Sequence, residues 1–430
     1  MKVAVVGLWH LGCVTAACLV KGGHDVLAFD SNTAVIDELK NKRSPIFEPG
    51  LDELLNQGYA SGKLTYSADH QDLGESDIIW VTFDTPVNDH DVADVNYVLQ
   101  EVKQLFAHAK TGALFLISSQ IPVGSTQKLQ ALCTESYPEK NITFAYSPEN
   151  LRLGKAIDVF SNPDRVVVGV EMEKDKARIQ TLLQPFTQHI IWMSIVSAEM
   201  TKHAINAFLA VSVTFINELS TLCESVGANA REVELGLKSE ERIGPKAYLR
   251  PGDAIAGGTL MRDIQYLTEL GQQKDRHTFL LSAILSSNQY HKQWSCRKLS
   301  DLLKDLKNKK IAMLGLTYKA GTDTLRRSTV LETCKWLSDQ GSQIFAYDPV
   351  VNDLPEEYAQ FIHIKATPQE ALQLADAVVV STEWPQFRNL TADEFVTNLK
   401  QPFVLDPSGF IAKNIGQDER LKYYSVGMPT

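Results

Sequence analysis

The sequence predicts an α/β protein with two doubly wound parallel sheets joined by a helical central segment. Three observations lead to this fold class. Short β-branched runs alternate with helical patterns in the first half of the chain, a long helix-periodic stretch follows, and the alternation returns near Asn308. Strands that alternate with helices indicate a parallel sheet with helices on both faces. We expect three domains, at 1–197, 198–300 and 301–430.

The elements of the first domain follow from the pattern in order. "KVAVVGL" is a buried strand, "GCVTAACLVKGG" is a helix closed by Gly22 and Gly23, and "DVLAFD" is the next strand. Further strand patterns then come at intervals that leave room for helices: "DIIWVTF", "ALFLISS", "TFAYSP" and "RVVVGV". This alternation is typical of a doubly wound sheet.

The central and C-terminal domains differ in their patterns. From Ser197 the chain has a long run without Pro or internal Gly, with apolar residues at helical spacing, which predicts one long helix. Because that helix is apolar on several faces, we expect it to form a homodimer interface. "KKIAMLGLTYK", "QIFAYDP", "DAVVVSTEW" and "PFVLDPSG" predict the second set of strands, and "TVLETCKWLSDQG" predicts a helix ended by Gly341.

Composition excludes several classes of protein. The 430 residues are 44% hydrophobic and 22% charged, which is typical of a soluble globular protein. A net charge of −10 argues against nucleic acid as a partner. The start "MKVAVVGL" runs into a strand, so we expect no signal peptide, and no apolar run approaches the roughly 20 residues that span a bilayer. The six cysteines form no CxxC pair, which predicts reduced thiols, no metal site and a cytoplasmic protein.

The first strand leads into a candidate dinucleotide-binding turn. In "VAVVGLWHLG", Gly7 and Gly12 stand where a Rossmann-like βαβ unit needs its first and third glycines. Asp30 ends the second strand, where a carboxylate accepts hydrogen bonds from a ribose diol. Because a carboxylate would repel a 2′-phosphate, the expected cofactor is NAD rather than NADP.

Trp9 occupies the place of the middle glycine. Two alternatives stay open at the sequence level. Either the indole points away and the backbone of Trp9, His10 and Leu11 holds the phosphates with the helix dipole, or the ring fills part of the groove.

Several further motifs occur in one order along the chain. They are "FEPGLDELL", "FDTPV", "SQIPVGST", "SPENLRLGKAI", "NPDRVVVG", "TKHAINAFLA", "NELSTLCESVGA", "ERIGPKAYLRPG", "LGLTYKAGTDTLRRS" and "AYDP". With them the sequence resembles the UDP-glucose/GDP-mannose dehydrogenase family along nearly its whole length. The resemblance implies oxidation of C6 of a nucleotide-diphosphate sugar from alcohol to uronate with two NAD. In that reaction a cysteine thiolate captures the intermediate aldehyde, because an aldehyde must become tetrahedral before it loses hydride.

The resemblance assigns catalytic roles to four residues. Lys202 and Asn206 match the family's oxyanion-stabilising lysine and asparagine, and their spacing places them on one helix face. Asp263 matches an aspartate that acts as a base through water. Glu149 matches the first glutamate of the family's "PEFL" element.

The same resemblance shows what this chain lacks. Thr259 stands at the position of the cysteine, and alignment on the paired glycines gives Leu260 instead. Other departures are Arg262 for lysine, Leu153 for a second glutamate, Gln120 for the threonine that holds the catalytic water, and no arginine in "LDPSGF". Because a hydroxyl without an adjacent base is a poor nucleophile, we expect Thr259 to cap the following helix or to position substrate. The second oxidation is then weak or absent unless an aldehyde hydrate replaces the thioester.

The remaining site residues are also implied by the resemblance. The substrate candidates are Leu151, Arg242, Tyr248, Leu249, Arg250, Gly257 and Lys319. The cofactor candidates beyond the glycine turn are Thr85, Gln120, Arg262 and Arg326. Two other functions remain open: an epimerase that retains NAD, and a non-catalytic binder of nucleotide sugars, which Trp9 brings into view.

Overall fold

The computed structural model describes residues 1–86, 93–149, 151–256 and 258–429. The chain forms two compact units, Met1–Ile205 and Asn206–Thr430. Each unit contains one sheet, so the two sheets that the sequence predicts are both present. The division into three domains with boundaries at 197 and 300 stays a prediction.

The first unit contains eight strands and seven complete helices within the described residues, together with the start of an eighth helix. The strands are β1 (Lys2–Val6), β2 (Asp25–Phe29), β3 (Leu64–Ser67), β4 (Ile78–Val81), β5 (Leu114–Ile117), β6 (Thr143–Tyr146), β7 (Val166–Val170) and β8 (Ile190–Met193). The helices are α1 (His10–Lys21), α2 (Thr33–Lys40), α3 (Leu51–Ala60), α4 (Val95–Leu105), α5 (Ser125–Ser136), α6 (Ala156–Ser161), α7 (Glu173–Leu183) and α8 (Ile195–Val226).

The first sheet has the strand order β3-β2-β1-β4-β5-β6-β7-β8. Val3 pairs with Val26 of β2 and with Ile78 of β4, both in parallel register. The sheet departs from the predicted parallel arrangement at one place, because β7 runs antiparallel to β6. A hydrophobic core covers each face: Val3 and Val5 of β1 belong to one core, and Ala4 and Val6 belong to the other.

The second unit combines the helical segment with the second sheet. Its helices after α8 are α9 (Ala230–Ser239), α10 (Thr259–Gln273), α11 (Phe279–Lys292), α12 (Trp294–Leu303), α13 (Thr329–Asp339), α14 (Glu356–Ala359), α15 (Pro368–Leu372), α16 (Ala392–Asn398) and α17 (Ala412–Ile415). Its strands are β9 (Lys310–Leu314), β10 (Gln343–Tyr347), β11 (Ile362–Ile364), β12 (Ala377–Val380), β13 (Phe403–Leu405) and β14 (Lys422–Tyr424). The order is β11-β10-β9-β12-β13-β14, and all of these pairs are parallel.

Helix α8 confirms the predicted long helix and begins at Ile195, slightly before the predicted start. Among the described residues, α8 is the single helix whose length and mean hydropathy would allow it to cross a membrane. The core helix of a globular protein meets the same criteria, and α8 carries the buried polar residues Glu199, Lys202 and His203. Helix α8 therefore fits a position in the protein core better than a position in a membrane, because its buried charged groups bond to loops of the protein.

Candidate functional site

Two glycines shape the turn after β1. Gly7 has a φ of 92°, and a Cβ at this residue would lie 2.8 Å from the backbone nitrogen of Phe83. A Cβ on Gly12 would lie 2.0 Å from the carbonyl oxygen of Gly7, so the first turn of α1 packs directly against the strand end. The Thr82 hydroxyl donates to the same Gly7 oxygen at 3.0 Å. The turn therefore has the close backbone packing that a dinucleotide fingerprint needs.

The N-terminus of α1 presents backbone amides to a ligand. The first helical hydrogen bond runs from Cys13 N to Trp9 O at 2.9 Å, so the amides of the residues between them point out of the helix end. The side chain of Trp9 is 46% exposed and lies outside the core. Trp9 is the N-cap residue, and its side chain makes no capping bond. Outward-pointing amides and the dipole of a helix N-terminus are suited to phosphates.

The carboxylate of Asp30 lies beside the glycine turn. Its Oδ2 accepts from Leu8 N at 2.8 Å, and its Oδ1 accepts from Asn32 N at 2.9 Å. These two amides fix the carboxylate beside the glycine turn, and the residue is only partly buried. The residues of this turn fit NAD, because the phosphate site and the diol-binding carboxylate are both built.

The turn after β9 in the second unit resembles the turn after β1, but its carboxylate is buried and no helix begins directly after it. Gly315 has a φ of 96°, and Leu316 N donates to Asp348 Oδ2 at 2.8 Å, as Leu8 N does to Asp30. Asp348, however, is only 3% exposed and also accepts from the indole of Trp384 at 3.2 Å. Helix α13 begins only at Thr329, so its N-terminus does not follow the turn directly. Of the two units, the first has the geometry for a dinucleotide.

Glu48 is a buried residue whose role the sequence did not reveal. Its carboxylate accepts from His10 Nε2 at 3.0 Å, from Gly154 N at 2.8 Å and from Ala156 N at 2.9 Å. These partners join the glycine turn to the loop that carries Glu149. The backbone amides and His10 lower the pKa of Glu48, although its burial acts in the opposite direction. Only the "FEPG" motif pointed to this residue, and the motif did not show its partners.

Lys202 and Glu149 meet within the first unit. The Lys202 side chain is buried, and its Nζ donates to the carbonyl oxygen of Glu149. The Glu149 Oε1 accepts from the amide of Leu151. Burial raises the pKa of Glu149 to about 7, Lys202 acts to lower it, and Asp84 acts to raise it. The pKa of Glu149 therefore lies near neutral pH.

Helix α8 also holds the "SQIPVGST" loop. Glu199 accepts from Gly124 N at 2.6 Å and from Thr126 N at 2.9 Å, and His203 Nε2 lies 3.1 Å from the carbonyl oxygen of Ile121. A side-chain hydroxyl also contacts this loop. Thr85 donates to the carbonyl oxygen of Gln120 at 2.6 Å, so these two cofactor candidates are adjacent.

In the second unit, α8 and α10 bring Asn206 and Asp263 together. The Asn206 side-chain amide donates to Asp263 Oδ2, and Asp263 is fully buried. Thr259 lies at the first position of α10 and is exposed. Gly258 is the N-cap residue and offers no side-chain bond, so the expectation that Thr259 caps the helix is wrong. The backbone amide of a residue at the first helical position is itself one of the groups that need a cap. Thr259 is therefore not the cap of α10, and its side chain is exposed.

Part of the predicted sugar loop lines a cavity of about 320 Å³ within the second unit. Tyr248, Leu249 and Arg250 line it with residues that the sequence did not single out: Lys238, Asp253, Glu383 and Ser408. Arg250 Nη2 donates to Glu383 Oε1 at 3.2 Å and to the carbonyl oxygen of Ser408 at 3.1 Å.

The other candidates have separate positions. Arg242 is exposed and its Nε donates to Glu240 Oε1 at 2.8 Å, and it is not among the residues that line this cavity. Lys319 lies with its Nζ 5.6 Å from the ring centre of Tyr318. Arg262 is half-buried on α10, and Arg326 is exposed before α13. Gly257 lies outside the described residues.

Comparisons with known proteins identify the family. The NAD binding domain of the UDP-glucose/GDP-mannose dehydrogenase family matches residues 1–187, its central domain matches 196–290, and its UDP binding domain matches 312–413. The UDP-glucose 6-dehydrogenase of Rhizobium meliloti (strain 1021) is 32% identical over 100% of both chains. The chain belongs to the UDP-glucose/GDP-mannose dehydrogenase family. Membership makes it an NAD-dependent oxidoreductase that acts on a CH–OH group of a nucleotide sugar.

Other UDP-sugar dehydrogenases are also similar to this chain in sequence or in structure. A UDP-glucose 6-dehydrogenase of Bacillus subtilis (strain 168) is 31% identical over 99% of this chain and 98% of its own. The UDP-glucose dehydrogenase structure from Pyrobaculum islandicum has a TM-score of 0.87 at 25% identity, over 99% of this chain and 98% of that one. A UDP-D-ManNAc dehydrogenase structure from Pyrococcus horikoshii, at 23% identity, 99% coverage of both chains and a TM-score of 0.86, confirms the fold.

Proposed function

We propose that this protein oxidises the C6 alcohol of a UDP-hexose to the aldehyde stage with NAD and lacks the thiol-dependent second oxidation. One observation carries the proposal. Asp263 and Asn206, the groups suited to the alcohol, are buried and hydrogen-bonded to each other. At the position of the family's nucleophilic cysteine the resemblance places exposed Thr259, or Leu260 in the other alignment, and neither carries a thiol. The groups for the first step are thus built, and the group for covalent capture is absent from that position.

The chain's own residues divide the work of the first step. NAD, when bound, supplies the hydride acceptor. Glu149, with a pKa of about 7, accepts a proton near neutral pH. Lys202 holds the Glu149 loop through the carbonyl oxygen, which places a cation beside it. A preorganised cation of this kind stabilises an alkoxide as its charge develops.

The cysteines elsewhere in the chain do not replace the missing thiol. All six are buried. Burial raises the pKa of Cys13 to about 12, and that of Cys18, Cys133 and Cys296 to about 11. It also raises the pKa of Cys334. Because the thiolate is the nucleophile, buried thiols of this kind are inert toward an aldehyde.

We also propose that the protein is a cytoplasmic homodimer. Phe208, Phe215 and Leu222 are exposed at heptad spacing along α8, with exposed fractions of 69%, 49% and 62%. A heptad repeat of large apolar residues forms one stripe on a helix, and such a stripe is typical of a helix–helix interface. Six buried, unpaired cysteines fit a reducing compartment.

The proposed function is tested with purified protein, NAD and three nucleotide sugars: UDP-glucose, UDP-N-acetylglucosamine and GDP-mannose. NADH is counted per sugar consumed, and any aldehyde is trapped with hydroxylamine and identified by mass spectrometry. One NADH per sugar and a trapped aldehyde support the proposal. No NADH with any sugar contradicts it. In that case, tightly bound NAD with sugar interconversion would indicate an epimerase, and sugar binding without NAD binding would indicate a non-catalytic binder.

A further inference from the structure

The space beside Gly258 is occupied by the guanidinium group of Arg327. A Cβ placed on Gly258 would lie 2.2 Å from Arg327 Nη1 and 2.5 Å from its Cζ. Real atoms do not approach so closely, so the guanidinium fills the volume that a side chain at position 258 would take. Glycine at this position is therefore what admits the cation.

The backbone of Arg327 is anchored where the side chain can reach this place. Arg327 has a φ of 63°, in the left-handed region that non-glycine residues seldom adopt. The next residue, Ser328, is buried and donates its hydroxyl proton to the carbonyl oxygen of Leu316 at 2.7 Å. Helix α13 follows at Thr329. The segment is thus fixed directly after the arginine, at the end of the loop after β9.

Gly258 is also the residue that starts α10. Its carbonyl oxygen accepts from Arg262 N at 2.9 Å, and Thr259 follows it in the first helical position. One turn further on, Asp263 bonds to Asn206. The Arg327 guanidinium therefore lies against the residue next to the position that carries the family's nucleophile. In the proposed function, that position faces C6 of the sugar.

We propose that Arg327 binds the oxygen atoms on C6 of the nucleotide sugar, and that the ligand which fits it best is a nucleotide-activated uronate. A guanidinium group pairs with a carboxylate through two parallel hydrogen bonds, and it is always charged. An uncharged CH2OH group makes at most ordinary hydrogen bonds to it. The same site then distinguishes the oxidised from the unoxidised sugar by charge. The assignment of C6 to this position rests on the proposed function.

The test compares two ligands that differ only at C6. Calorimetry measures the affinity of wild-type protein for UDP-glucuronate and for UDP-glucose without NAD, so that no turnover is needed. We expect UDP-glucuronate to bind at least tenfold more tightly in the wild type, and with nearly equal affinity to UDP-glucose in Arg327→Met. Arg327→Lys keeps the charge without the planar pair of donors and should retain part of the ratio. The exposed Arg276, also in the second unit, gives a matched control, and Arg276→Met should keep the wild-type ratio.

A second variant fills the space that the Arg327 guanidinium occupies and leaves Arg327 itself unchanged. Gly258→Ala puts a Cβ where the guanidinium lies, and the far end of a flexible side chain is what has to move. We expect this variant to lower the ratio as Arg327→Met does, and the double variant to lower it no further. Circular dichroism checks that each variant is folded.

The outcomes separate the two proposals. If wild-type protein forms no NADH but shows the affinity ratio and its loss in Arg327→Met, the proposed function fails and this inference stands. If NADH forms but the ratio is the same in wild type and Arg327→Met, this inference is overturned and the proposed function stands.

Discussion

Gly12 is the residue at which the cofactor turn has the least room. Any side chain there meets the Gly7 carbonyl oxygen, so Gly12→Ala forces the helix away from the strand. We expect a loss of about 1–3 kcal/mol in the free energy of unfolding and a weaker affinity for NAD. Gly236, inside α9 with open space around it, is the control: Gly236→Ala should be neutral or stabilising by up to about 1 kcal/mol. Chemical denaturation and NAD titration measure both effects. Equal behaviour of the two variants would refute the packing argument.

Glu149 gives the protein a pH dependence with a definite sign. Its pKa rises from the ordinary 4.5 to about 7 on folding, so the folded state binds more protons between these values. Stability from this group is therefore fully present below about pH 4.5 and decreases as the pH rises to about 7. Glu149→Gln should remove this slope from the unfolding free energy. It should also remove the rise of kcat through about pH 7 that proton acceptance by the carboxylate predicts. An unchanged pH–kcat profile in the variant would exclude Glu149 as the proton acceptor.

Single residues also show how far the sequence reaches. The tight packing at Gly7 and Gly12 and the position of Asp30 beside them were predictable, because they depend on local backbone geometry. Glu48 and Arg327 were not, because their partners are distant in the sequence and only the fold brings them together. The capping role expected for Thr259 was wrong because the helix begins one residue earlier than a cap requires.

At the level of elements, α8 works as a scaffold for two loops. Glu199 is buried and accepts from two backbone amides of the loop before and at the start of α5. Glu199→Ala leaves both amides without their acceptor, which should cost roughly 2–3 kcal/mol of unfolding free energy and raise the KM for NAD. Glu135 is exposed on α5, and Glu135→Ala should change neither quantity. If the two variants have equal stability, the Glu199 bonds do not hold the loop.

The elements that the sequence missed share a physical cause. Strands β3, β8, β11 and β14 lie at the edges of the sheets. β8 is only partly buried throughout, and β11 and β14 have three residues each. A short edge strand needs no continuous apolar run, so the pattern that predicts central strands is weak there.

The glycine turns after β1 and β9 look alike in sequence. They differ in where the following helix begins, at His10 in the first unit and at Thr329 in the second.

At the level of the whole molecule, the exposed stripe on α8 predicts self-association. Phe215 lies in the middle of the stripe, and Phe215→Glu should place a charge in the proposed interface. We expect the variant to sediment as a monomer at concentrations at which the wild type is a dimer. Tyr59 in the first unit is similarly exposed at 49%, and Tyr59→Glu should leave the dimer intact. A monomeric wild type, or a dimeric Phe215→Glu, would contradict the proposed interface.

The proposed function depends most on the loss of the thiol-dependent step, and product identity tests that loss most directly. Wild-type protein and Thr259→Cys are incubated with UDP-glucose and NAD, and NADH and uronate are measured per sugar consumed. We expect one NADH and a trappable aldehyde from the wild type. In Thr259→Cys we expect a covalent sugar adduct on the introduced thiol, which mass spectrometry detects. Two NADH and released uronate from the unaltered protein, at the rate of its first oxidation, would contradict the account.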